Sequence, residues 1–218
     1  MADPFPELED EPSPERRAEG LKTLRLALWG AVALVVGIGL VAMFAPDRSP
    51  PSAGAAAYSD SIGGPFSLTA PDGSRVTDQT LKGTPFAIFF GFTRCPDVCP
   101  TTLSRMAQLR KQLGPDGDKF RIVFVSVDPG YDTPQDIGRY VELFGTPILG
   151  LTGTDKEVDA AVKAYRAFYQ KVPTKGGDYT IDHTASVYLM DASGRLQSII
   201  AYDETNPSAL AKLKRLVG

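Results

Sequence analysis

The chain has 218 residues and a formal net charge of −3, from 23 Lys and Arg against 26 Asp and Glu, with both signs mixed along its length. That length suits one domain with appendages, and the lack of a basic excess argues against nucleic acid as a partner. The only cysteines are Cys95 and Cys99 and the only histidine is His183, so any Cys- or His-based chemistry runs through three side chains.

Residues 1–23 carry seven acidic and three basic side chains among several prolines, the composition of a disordered tail. A mitochondrial leader is Arg-rich and poor in acids, so a bacterial inner membrane is the expected address. Leu26 to Ala45 is a run of twenty residues without a charge, enough helix to cross the hydrocarbon of a bilayer, and a transmembrane helix is expected over 24–45. Arg16, Arg17, Lys22 and Arg25 precede the run and only Arg48 closely follows it, which places the N-terminus in the cytoplasm and the remainder in the periplasm. A cleaved signal peptide, with Ala55-Ala56-Ala57 as its processing site, is the competing reading, although the apolar run exceeds a normal signal core. No cysteine directly follows the run, which excludes a lipoprotein anchor. Residues 46–60, rich in Pro, Ala, Gly and Ser, read as a flexible linker.

The globular pattern begins near residue 61. Phe66 to Thr69 and Val76 to Leu81 are expected strands around a turn at Pro71-Asp72-Gly73. Phe86 to Phe92 is a continuous apolar run, the mark of a strand covered on both faces. Leu103, Met106, Leu109 and Leu113 have helical spacing, predicting a helix over 101–113 with Gly114 as its C-cap. Phe120 to Asp128 is a second buried strand. Thr133-Pro134 opens a helix that runs to about residue 144, and Ile148 to Leu151 is a third strand. Thr154 to Glu157 is a capping box whose helix is expected to reach about Gln170. Lys171 to Asp182 reads as a polar, mobile loop. Strands over 185–190 and 196–202 flank a turn at 191–194, and Asn206-Pro207 opens the last helix with Asn206 as cap. The order predicts an α/β thioredoxin-like fold with an N-terminal β-hairpin, preceded by the single transmembrane helix, with residues 61–218 as the functional domain.

Cys95 and Cys99 lie between the first buried strand and the helix after it. A helix N-terminus favours the thiolate, and Pro100 fits an early helical position. Two thiolates and an imidazole suit Cu(I) or zinc, but three ligands fall short of the four of a structural zinc site. In a thioredoxin-like fold the loop holding His183 faces the cysteine helix. A plain disulfide and a surface histidine remain the simpler alternatives. Asp182 reads either as a hydrogen-bond partner of the His183 ring or as a solvated loop acid, and Asp97 carries the same two readings. Arg94 either raises the thiolate content or is exposed. Met106 reads as core, and Asp128 and Thr133 as strand-end and cap residues. A peroxidase reading fails because Phe92 and Pro96 stand where a peroxiredoxin needs Pro and Thr.

The segment Gly91-Phe92-Thr93-Arg94-Cys95-Pro96-Asp97-Val98-Cys99-Pro100-Thr101, with Val125 to Pro129, Asp132-Thr133-Pro134 and Asp182-His183-Thr184, resembles the Sco/SenC family of membrane-anchored copper-binding assembly factors of cytochrome c oxidase. The resemblance covers about residues 60–217. It implies copper, as Cu(I) or Cu(II), bound by Cys95, Cys99 and His183 and delivered to the binuclear copper centre of oxidase subunit II. Some relatives act instead as thiol-disulfide reductases of that centre or as redox sensors. A periplasmic copper donor and a thioredoxin-like reductant are the further expected partners of a monomeric, membrane-held protein.

Overall fold

The computed structural model describes residues 28–37 and 61–218, and the chain divides into two compact units, residues 1–50 and 51–218. In the first unit residues 28–37 are helical. Among the described residues no helix is long and apolar enough to cross a membrane. The tail 1–23, the linker 46–60 and both ends of the expected 24–45 span lie outside the described residues.

The second unit opens with an antiparallel hairpin, β1 (Ser67–Thr69) and β2 (Arg75–Thr77). Its turn is held by Asp72, whose carboxylate accepts from the Ser74 amide at 2.9 Å. The strand expected to continue to Leu81 stops at Thr77, and Asp78–Leu81 is instead a short helix, α1. Thr77 is the reason: its hydroxyl accepts from the Thr80 amide and the Thr80 hydroxyl accepts from the Thr77 amide, a reciprocal cap that turns the chain into helix.

Strand β3 (Phe86–Gly91) is buried at every position. Helix α2 (Val98–Gln112) follows it, then a short 3₁₀ helix over Gly114–Lys119 and strand β4 (Arg121–Ser126). Helix α3 (Pro134–Glu142) and helix α4 (Asp155–Ala164) flank strand β5 (Ile148–Leu151). Both helices begin with reciprocal caps, Thr154 with Glu157 as expected and Thr133, the expected cap residue, with Asp136. Strands β8 (Val187–Met190) and β9 (Leu196–Ile200) and helix α5 (Asn206–Val217) complete the unit. The sheet order is β5-β4-β3-β8-β9, with β3, β4 and β5 parallel and β8 and β9 antiparallel. With α2 directly after β3, this is a thioredoxin-like α/β arrangement.

Two expectations change. The helix expected to reach Gln170 ends at Ala164, and Arg166 then takes a left-handed backbone conformation at φ +49°, which a helix cannot pass through. The polar stretch expected as a loop is a second hairpin: β6 (Tyr169–Pro173) pairs antiparallel with β7 (Tyr179–His183), Pro173 opposite Tyr179. Gly176 at φ +106° and Gly177 at φ +86° allow the turn. Ile181 alone of the two strands is fully buried, so they lack the apolar alternation that marks a strand in sequence. Smaller shifts are that α2 starts at Val98, three residues early, and that α5 is preceded by Thr205 as N-cap, while Asn206 accepts from Arg105 Nε at 2.8 Å.

Candidate metal centre

The centre is assembled from three segments. β3 ends at Gly91, and the next turn closes when the Cys95 amide donates to the Phe92 carbonyl at 3.2 Å. Helix α2 begins at Val98 with Asp97 as N-cap, and Asp97 makes no side-chain cap bond. Its carboxylate accepts instead from the Thr101 hydroxyl at 3.2 Å. The free amide of Cys99 donates to Cys95 Sγ at 3.4 Å. The sulfur thus does what a cap oxygen does elsewhere, taking one of the amides left open at a helix start. Cys99 is fully buried, Cys95 half-buried, and both are free thiols.

His183 is the last residue of β7 and so belongs to a hairpin, not to a loop. Its Nε2 lies 3.4 Å from Cys99 Sγ and its Nδ1 3.1 Å from the Thr184 carbonyl. A carbonyl only accepts, so Nδ1 carries the proton and Nε2 turns its lone pair to the sulfurs. The ring is set edge-on to Phe89 and Phe92, with centroids 5.7 and 5.9 Å away. The two sulfurs and one ring nitrogen all lie within 4.8 Å of one another. Metal–sulfur and metal–nitrogen bonds of about 2.0–2.3 Å put ligand atoms roughly 3.5–4 Å apart around one ion, so the three groups could hold a metal with small adjustment. A cleft of about 320 Å³ opens onto Cys95 and His183 between the Pro96 turn and Thr180–Asp182.

The two thiols differ electrostatically. The hydrogen bonds from the Cys99 thiol and from backbone amides outweigh burial and lower Cys95 to about 4. Donating that bond, together with burial, raises Cys99 well above the ordinary thiol range. The pair is therefore asymmetric, with negative charge favoured on Cys95 and the proton favoured on Cys99. Iodoacetamide at pH 6 should accordingly modify Cys95 at least about tenfold faster than Cys99, as read by peptide mass mapping. Equal rates would contradict the assignment.

Among the other residues singled out in sequence, Met106 is core at 1% exposure, as expected. The imidazole partner is the Thr184 carbonyl and not Asp182, which is exposed opposite Gln170 in the hairpin. The Arg94 guanidinium serves neither expected role, because it binds Asp128 at 3.1 Å and Asp178 at 3.2 Å. Two carboxylates that carry no site role in the sequence reading are buried beside the centre. Asp132 accepts from the Thr93 amide at 3.0 Å and from the hydroxyls of Thr93 and Ser126, each at 2.5 Å, tying the start of the cysteine turn to the end of β4. Asp128, read only as a strand end, is wholly buried. The available signal was a pair of acids four residues apart, directly after a buried strand.

The matching family model, SCO1/SenC, covers residues 54–218. Protein SenC of Rhodobacter capsulatus is 39% identical over 175 residues, 78% of this chain and 79% of that protein. The mitochondrial SCO1 homolog 1 of Arabidopsis thaliana is 42% identical over 66% of this chain, which spans only 42% of that longer protein. Among solved structures, Bradyrhizobium japonicum ScoI with copper bound has 48% identity and a TM-score of 0.66, covering 71% of this chain and 99% of that one. BsSco, described as having a disulfide switch and as a member of the Sco family of cytochrome c oxidase assembly proteins, has 26% identity and a TM-score of 0.58 over 72% of this chain and 94% of its own. With 165 of its 218 residues inside the matched region and the same thioredoxin-like core, the chain belongs to the SCO1/SenC family.

Proposed function

We propose that this protein is a copper carrier for cytochrome c oxidase assembly, binding one copper ion through Cys95, Cys99 and His183. The observation that carries this reading is the convergence of two sulfurs and one imidazole nitrogen, from separate segments, within 4.8 Å. The donor set is soft enough for Cu(I), and imidazole also suits Cu(II). Three protein ligands leave the ion coordinatively open, and Cys95 lies at the accessible rim of the site. A partner's thiolate can therefore enter while Cys95 leaves, and the ion passes by stepwise ligand exchange. The copper-bound relative and the oxidase-assembly description of another support copper as cargo and the oxidase as destination. The binuclear copper centre of oxidase subunit II is the proposed acceptor and a periplasmic copper chaperone the proposed donor. The uncharged run Leu26 to Ala45 is the proposed anchor, with residues 61–218 in the periplasm as a monomer.

A second reading is favoured by the unequal thiols. Cys95 as thiolate attacks a substrate disulfide and displaces one substrate thiolate. Cys99 then loses its proton, attacks Cys95 Sγ and releases the second, leaving the substrate reduced and the Cys95–Cys99 pair oxidised. A thioredoxin-like reductant then restores the pair. Copper loading requires the same reduced state, so the readings are compatible.

The test is anaerobic copper titration of the full chain and of Cys95→Ser, Cys99→Ser and His183→Ala. One equivalent is expected in the parent, with two sulfur and one nitrogen neighbours by X-ray absorption. Loss of the nitrogen and at least about tenfold weaker binding are expected in His183→Ala. Unchanged affinity and coordination in His183→Ala would sink the ligand assignment.

A further inference from the structure

His183 and the cysteines are carried by different sheets. The cysteine turn follows β3 of the five-stranded sheet, whereas among the described residues β6 and β7 pair only with each other. An isolated two-stranded hairpin is marginal in water, so the place of His183 depends on what holds the hairpin down. The Asp128 carboxylate, 0% exposed, stands at the junction. From the hairpin, the Tyr179 hydroxyl donates to it at 2.9 Å and Lys171 Nζ lies 3.2 Å away. From the cysteine turn, Arg94 Nη2 lies 3.1 Å away, one residue before Cys95. The Arg94 guanidinium sits between two rings, 4.0 Å from the centroid of Tyr131 and 4.7 Å from that of Tyr179. Its Nη1 reaches Asp178, beside Tyr179, at 3.2 Å. Two cations and two carboxylates balance, which makes the buried carboxylate tolerable. Removing one member leaves the others unmatched.

We propose that Asp128 is a positioning residue for the metal centre, a hub that clamps the β6–β7 hairpin to the cysteine turn through Tyr179, Lys171 and Arg94 and so fixes His183 Nε2 beside the sulfurs. The inference rests on the metal-centre reading given above. It assigns the two halves of the site different supports. The sulfurs are held by the β3–α2 turn, the imidazole by the clamp. Losing the clamp leaves a two-sulfur site and frees the nitrogen.

The test uses full-length Asp128→Asn, Tyr179→Phe, His183→Ala and the double variant Asp128→Asn with His183→Ala. The readouts are Cu(I) affinity by ligand competition and, with Cu(II), the imidazole nitrogen modulation in pulsed paramagnetic resonance. Asp128→Asn should weaken Cu(I) binding by about tenfold or more, in the range seen for outer partners of metal ligands, and should reduce the nitrogen modulation. Tyr179→Phe should move both the same way by less. The double variant should bind no more weakly than His183→Ala alone, because the clamp acts only through the imidazole. Additive losses would mean that Asp128 supports the fold at large, and would overturn the proposal. Unchanged affinity in Asp128→Asn beside a weakened His183→Ala would overturn it as well. An unchanged His183→Ala would overturn the ligand reading first. If Asp128→Asn does not fold, Tyr179→Phe alone and combined with His183→Ala decides by the same comparison.

Discussion

Replacing Cys99 by serine is expected to abolish copper retention, with affinity falling at least about a hundredfold, beyond the loss typical of an outer-shell change. Cys99 contributes the innermost of the three donors. Its sulfur is wholly buried and lies 3.4 Å from the His183 ring nitrogen. A hydroxyl is a harder donor than a thiolate, it is not deprotonated at neutral pH, and it is a poor ligand for Cu(I). The same substitution places a hydroxyl among Gly91, Phe124 and the strand behind them, at a cost of about 1–3 kcal/mol if no acceptor is reached. Cys95→Ser should lose copper to a similar degree and retain stability, because Cys95 is half-buried and serine oxygen can still accept the Cys99 amide. Copper per chain after desalting and the urea midpoint separate the two effects. A Cys99→Ser protein that keeps one copper would remove this thiol from the site.

Gly91→Ala is expected to damage both stability and copper binding without touching a ligand. A Cβ at Gly91 would stand 2.5 Å from Cys99 Sγ and 3.0 Å from Phe124 Cε2. Neither atom is the end of a flexible chain. Cys99 is pinned at the start of α2, and Phe124 is buried in β4 beside β3. Overpacking of this kind costs about 1–3 kcal/mol, and the relief available is to push α2 and its sulfur outward. Chemical denaturation should show the lost stability and copper competition a weaker site, while both thiols remain titratable. Wild-type stability in Gly91→Ala would mean that the sulfur is not held against β3.

Much of this was legible in the chain. The apolar runs at Phe86 to Phe92, Phe120 to Asp128 and Ile148 to Leu151 become the three parallel strands, because a strand covered on both faces has no polar face to interrupt it. Thr133 and Thr154 announce their helices through reciprocal caps, a local interaction completed within four residues. Thr77 makes a cap of the same type with Thr80 in place of the usual acid, and without that acid the segment reads as strand. The hairpin of β6 and β7 was hidden for a different reason. Most of its side chains are exposed or half-exposed, so its polar residues carry no period that separates strand from loop.

The sequence by itself determined the chemistry available to this protein. Ligand softness is a property of residue type, and two cysteines with one histidine leave a single soft donor set. It also determined that the cysteines frame a helix start, since a buried strand, a proline and a helical period are all local signals. The tertiary structure alone decided which atoms meet and how. His183 comes from 84 positions beyond Cys99, and its tautomer is set by the Thr184 carbonyl rather than by the neighbouring acid. Asp128 reads in sequence as a strand-end residue, and the fold buries it among partners from three segments. The physical reason is an asymmetry in what sequence records. Apolar burial repeats along a strand or helix and leaves a period, whereas a buried charge is compensated by partners far along the chain and leaves none.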